Sequence, residues 1–103
     1  MKVSDLLIKV KKAEEAVTKR ETILSKQIAK ELRQRELLIT KGVDLSDNFP
    51  QNKYRDNIDL FWEICDWGKS KQCVFNSEIL LEKKKRILNT WKERLNEAYK
   101  KEI

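Results

Sequence analysis

Between Ser4 and Lys41 the chain contains no glycine and no proline, and its apolar residues keep a seven-residue beat: Val3, Val10, Val17 and Leu24, with Leu38 rejoining the register. Nothing but a long helix accommodates that pattern over so many residues. Ser4 is placed to cap its start, Asp5 sits at the positive end of the dipole, and Val3 is placed to staple against Ile8. At the far end Gly42 suits a left-handed residue after the last turn, with Val43 folding back towards Leu38 or Ile39. Helix 1 is therefore expected over about 4–41, roughly 57 Å at the standard rise.

Leu7 and Ile28 read as the alternate seam position of this helix, which also carries Glu14, Glu21 and Arg35, while Glu31 interrupts the first position. Those charges disfavour a simple two-stranded zipper. Leu6, Ala13, Leu32 and Ile39 widen the apolar stripe on both sides, so helix 1 is expected to pack against two partners.

The segment VDLSDNFPQN, residues 43–52, is a loop by its Asp, Ser, Asn and Pro content, with Pro50 near the first turn of the next helix. Helix 2 is expected over about 51–67, with Tyr54, Ile58, Phe61 and Cys65 on one apolar row and Leu60, Ile64 and Trp67 on the next. Gly68 reads as its end. Helix 3 is expected over about 76–101, carried by Leu81, Leu88 and Leu95 with Trp91 and Ala98 at the alternate position. The fold expected is all-α: a single three-helix, coiled-coil-like domain in which one long N-terminal helix packs against a short aromatic helix and a C-terminal helix. Composition agrees, since 39% of residues are charged and the chain has two glycines and one proline.

The chemistry is mostly exclusion. There is no histidine, which removes the usual general base, the commonest metal ligand and the Ser-His and Cys-His nucleophile pairs. Two isolated glycines make no phosphate-cradling loop. Asp56, Asp59, Glu63 and Asp66 fall on one face of helix 2, but a straight row cannot surround a cation. It reads as a solvated face. No enzyme, cofactor, metal or small-molecule substrate is expected. Cys65 and Cys73 match neither a redox nor a zinc spacing and are expected as free thiols. No apolar run approaches the ~20 residues of a membrane span, and the N-terminal residues lack the apolar stretch of a signal peptide, so a cytoplasmic location is expected.

Charge divides the chain. Residues 1–42 carry eleven basic and six acidic residues, residues 43–75 four and six, and residues 76–103 eight and five, giving the net +6. Six of the eight aromatics lie in the acidic middle. Large rings there either fill the junction between helices or stay exposed as anchors for a partner. Tyr54, Trp62 and Trp67 are the candidate partner-binding residues. The leading expectation is a non-enzymatic protein–protein interaction module, an adaptor, assembly factor or inhibitor, binding another protein or forming a homo-oligomer through its long amphipathic helices. Lysine greatly outnumbers arginine, the usage of an AT-rich bacterial or phage genome, and a phage-encoded inhibitor fits that class. The second expectation is a nucleic-acid-binding regulator. Lys12, Lys19, Lys26 and Arg33 form a ridge on the back of helix 1, and Lys83, Lys85 and Arg86 form a basic cluster in the C-terminal arm. Glu15 and Glu36 lie within pairing distance of that ridge and would cancel part of its field.

Overall fold

The computed structural model describes residues 2–102, and within them the protein is all-helical, with two long helices packed together. Helix α1 spans Val3–Thr40 and helix α2 spans Ile58–Glu102, with a five-residue 3-10 turn, Pro50–Tyr54, between them.

Helix α1 starts at Val3, one residue before the expected range of about 4–41. The Lys2 carbonyl accepts from the N–H groups of Asp5 and Leu6, so Ser4 lies inside the first turn and does not cap it. Val3 belongs to the heptad position of Val10 and Val17, and extending the helix by one residue adds it to the seam. Ile8 faces outward and makes no staple. The C-terminus follows expectation: Gly42 has φ of 83°, its N–H donates to Ile39 O at 2.9 Å, and the Val43 N–H donates to Leu38 O at 3.0 Å. This is the paired bonding of a Schellman end, and its apolar contact is present, because Val43 and Leu38 are buried in one cluster.

Two boundaries differ from the three-helix expectation. Pro50 opens a 3-10 turn rather than an α-helix, and α2 begins only at Ile58, where Asn57 Oδ1 accepts the Leu60 N–H at 3.2 Å as an N-cap. Asp56 therefore precedes the helix instead of standing on its face. Helix α2 then runs through Gly68 without interruption, so the expected helices 2 and 3 are one element. A helix-interior glycine costs only about 1 kcal/mol relative to alanine. Against that stands an unbroken seam: Leu60, Trp67, Val74, Leu81, Leu88 and Leu95 recur every seven residues, and Ser70, Ser77, Lys84, Trp91 and Ala98 follow three behind. All eleven are buried or half-buried.

The inward face of α1 also needs correction. The second seam position is Leu6, Ala13, Arg20, Gln27 and Gln34, all buried or half-buried, whereas Leu7 and Ile28 are exposed, as are Glu14 and Glu21. The apolar character of Leu7 and Ile28 makes them the natural choice, but the interior accepts polar side chains, Arg20 meeting the small buried Ser77 of α2.

Contacts divide the protein into two compact units. The first comprises the residues up to Leu24 and those from Ser77 onward. Its buried apolar residues are Leu6, Val10, Val17 and Leu81, and its helix segments run antiparallel, with Lys9 Nζ 5.8 Å from the Trp91 ring and Arg20 Nη2 donating to Ser77 Oγ at 3.4 Å. The second unit, Ser25–Asn76, buries Leu38, Val43, Ile64 and Trp67, with Leu45, Tyr54 and Leu60 packed against them. No helix among the described residues is long and apolar enough to cross a membrane.

Candidate functional site

The second unit contains the aromatic segment, and its loop is built to hold the 3-10 turn against α2. The Asp44 carboxylate accepts the Ser46 hydroxyl at 2.6 Å and the Ser46 N–H at 3.0 Å. Those two bonds, with Lys53 behind them, hold the Asp44 carboxyl below the usual carboxylate range. The Asp44 N–H donates to the Tyr54 hydroxyl at 3.3 Å, and Lys53 Nζ lies 3.9 Å from Asp44 and 3.4 Å from Asp47. Lys41 Nζ reaches both oxygens of Glu63, at 2.6 and 2.8 Å, joining the end of α1 to the second turn of α2. That pair is half-exposed and contributes at most about 1 kcal/mol.

The three candidate partner-binding aromatics separate. Trp67 is 5% exposed and belongs to the core; its indole N–H donates to Glu31 Oε1 at 3.0 Å, so it is not an exposed anchor. Tyr54 is half-buried and packed on the same core. Trp62 alone is exposed, at 57%, and Ile58 one turn before it is 67% exposed. The helical register explains the sorting. With Leu60, Ile64 and Trp67 inward, Ile58 and Trp62 point away from α1.

Two adjoining grooves run beside the 3-10 turn and share Gln51. One, of about 430 Å³, is lined by Ile58, Phe61, Trp62 and Cys65 from α2 and by Asn52 and Arg55. The Phe61 and Trp62 rings meet edge to face, their centroids 5.4 Å apart. The other groove, of about 480 Å³, has Ile64, Trp67 and Gly68 in its lining between the exposed Phe49 and Phe75. Lys71 Nζ lies 4.3 Å from the Trp67 ring centre there. Sequence reasoning does not single out Ile58, Phe49 or Phe75 as binding residues. The available signal is the heptad beginning at Leu60, which leaves Ile58 and Trp62 outside it.

The carboxylate row does not assemble. Glu63 is paired with Lys41, Asp56 lies before the helix, and no group of three or more potential metal ligands gathers among the described residues. Of the basic candidates, Lys12, Lys19, Lys26 and Arg33 are all exposed, and none has an ion-pair partner among the described residues. Glu15 and Glu36, one turn from these cations, make no ion pair with them among the described residues. The first unit carries Lys12 and Lys19, the second Lys26 and Arg33. Lys83, Lys85 and Arg86 are exposed in the first unit, with Arg86 3.9 Å from Glu82, while Lys84 is half-buried on the seam. Cys65 and Cys73 are free thiols.

Set against known protein families, curated protein sequences and solved structures, the chain matches none, so the residues just described carry the functional reading alone.

Proposed function

We propose that the protein is a non-enzymatic interaction module, an adaptor, assembly factor or inhibitor, that binds another protein through the outward face of α2 in the second unit. One observation carries this reading: a tryptophan and an isoleucine one turn apart stand more than half exposed beside a groove, with the Phe61 ring edge to face against the tryptophan. Exposed large apolar side chains grouped at a concavity mark protein-binding surfaces, and tryptophan is the residue most enriched at binding hot spots. The test is affinity capture from the native cell extract with nuclease treatment, comparing wild type with an Ile58→Ser/Trp62→Ser double variant. A protein partner retained after nuclease and lost with the double variant is the expected result. Capture that ignores both substitutions would sink the reading.

The exposed, unpaired ridge Lys12, Lys19, Lys26 and Arg33 supports a second reading, a nucleic-acid-binding regulator that also uses Lys83, Lys85 and Arg86. Binding of this kind weakens steeply with salt, and replacing Lys19 and Lys26 by alanine flattens the slope by about one unit for each phosphate no longer neutralised. Failure to bind duplex or single strands at low salt ends it.

A further inference from the structure

Counted by structural unit, the positive charge is concentrated. The first unit holds fourteen basic and nine acidic residues, so +5 of the net +6 belongs to it. Among the described residues it makes one ion pair, Arg86 with Glu82 at 3.9 Å. Where α1 begins and α2 ends, this unit has a groove of about 350 Å³ lined by Leu6 of α1 and by Trp91, Arg94, Glu97, Ala98 and Lys101 of α2. The half-buried Trp91 indole meets two cations, with Arg94 Cζ 4.9 Å and Lys9 Nζ 5.8 Å from its ring centre. A ring attracts a cation without neutralising it. Lys9, Arg94 and Lys101 are exposed, and none has an ion-pair partner among the described residues. Glu97 is the one acid among the lining residues, against Arg94 and Lys101 in the lining and Lys9 on the ring.

We infer that this groove takes a single-stranded nucleic acid, its phosphates on Lys9, Arg94 and Lys101 and a base against Trp91 and Arg94. The inference rests on the nucleic-acid reading above and adds to the lysine ridge a site that holds a base. Cations interleaved with an aromatic plane match a chain that alternates phosphates with bases, and stacking accepts any base. A guanidinium offers both a plane for stacking and donors for phosphate. A duplex keeps its bases stacked and paired, so it brings the groove phosphates alone, and an acidic peptide brings charge without the base. Lys12, Lys19, Lys83 and Lys85, exposed in the same unit, strengthen the field that attracts the strand.

The test follows the anisotropy of a labelled oligothymidylate of about 12 nucleotides on titration with the intact protein, beside a duplex of equal length, labelled polyglutamate, and vesicles of phosphatidylserine in phosphatidylcholine. Arg94→Gln/Lys101→Gln removes the groove's cations. Trp91→Leu and Trp91→Phe both keep an apolar side chain in the seam, but only the second keeps a π-face. Lys26→Gln/Arg33→Gln alters the ridge in the second unit. Circular dichroism checks helicity, and because Arg94 and Lys101 are exposed, the cation variant decides the matter if a Trp91 variant unfolds. The strand is expected to bind more tightly than the duplex, and about fivefold or more weakly to Trp91→Leu than to Trp91→Phe. In the cation variant the slope of log affinity against log salt should fall by about 1.4, about 0.7 for each phosphate contact. Equal binding of strand and duplex, or strand binding lost with the ridge variant and kept by the cation variant, preserves the nucleic-acid reading and overturns the groove. Polyglutamate bound as tightly as the strand, or Trp91→Leu binding as well as Trp91→Phe, reduces the interaction to general attraction of polyanions and overturns the groove. Vesicle binding without strand binding, or no binding of any probe at ~0.05 M salt, overturns the groove and the nucleic-acid reading together.

Discussion

The two glycines make opposite demands on the backbone, and substituting alanine at each tests whether α2 is one helix. Both lie in the second unit, and a Cβ added at either meets no heavy atom within 4 Å, so packing drops out of the comparison. At Gly42, with φ of 83°, an L-residue pays about 1–2 kcal/mol for the left-handed conformation. The loss of unfolded-chain freedom returns about 0.4–1 kcal/mol of this, leaving Gly42→Ala destabilising by about 1 kcal/mol. At Gly68, inside α2, the helical preference of alanine over glycine makes Gly68→Ala stabilising by about 1 kcal/mol. The pair therefore diverges by about 2 kcal/mol with opposite signs. Urea unfolding followed by helix ellipticity reads this as midpoint shifts of about half a molar in each direction, if the slope is about 2 kcal/mol per molar. A lowered midpoint for Gly68→Ala would mean that Gly68 ends a helix in the left-handed conformation, and the continuous α2 would be wrong.

Three other consequences are open to measurement. Glu31→Ala leaves the Trp67 indole N–H without its acceptor and should cost about 1–3 kcal/mol in a urea titration, whereas Glu31→Gln keeps an acceptor oxygen and should recover most of the loss; equal losses would refute the bond's role. Cys65 and Cys73 stand eight residues apart on one helix, about 12 Å along its axis and beyond the reach of a disulfide, so mild oxidation should yield Cys73-linked dimers abolished by Cys73→Ser, and an internal disulfide found by mass spectrometry would break α2. The Asp44 carboxyl is held below its ordinary value of 3.8, so its contribution is present above that pH and disappears as pH falls through the lower folded value. The stability gap between wild type and Asp44→Ala should accordingly close on acidification, and a gap constant from neutral to strongly acid pH would contradict the Ser46 contacts.

Helix α1 is legible because one signal suffices: a heptad of branched and leucine side chains ending at a glycine whose left-handed turn the structure contains. Helix α2 carries an equally regular signal, Leu60 to Leu95 in steps of seven, but a single glycine reads as a stop although its cost is smaller than that of breaking the seam. Hydrophobicity alone cannot locate the second seam position of α1. Arg20, Gln27 and Gln34 are half-buried, Arg20 donating to the buried Ser77, and only the pairing of the two helices reveals that. The same holds for the exposed site. Ile58 and Trp62 are defined by what α1 and the 3-10 turn leave uncovered, a property of tertiary packing that no local pattern encodes.

The interior of each unit is thin, and that bears on how the groove can work. Covering the exposed part of Ile58 contributes about 1–2 kcal/mol, and covering that of Trp62, at most about 140 Å², contributes about 3.5 kcal/mol at 25 cal/mol per Å². The sum, about 5 kcal/mol, lies at the low end of the ~4–15 kcal/mol that association costs in lost translational and rotational freedom. Two apolar anchors are therefore insufficient on their own. Further burial at the neighbouring groove between Phe49 and Phe75 must supply the surplus. A partner that uses the first groove alone should bind no more tightly than the millimolar range. A partner that reaches Phe75 as well gains a second aromatic contact, and its affinity should then respond to substitutions on both sides of the 3-10 turn.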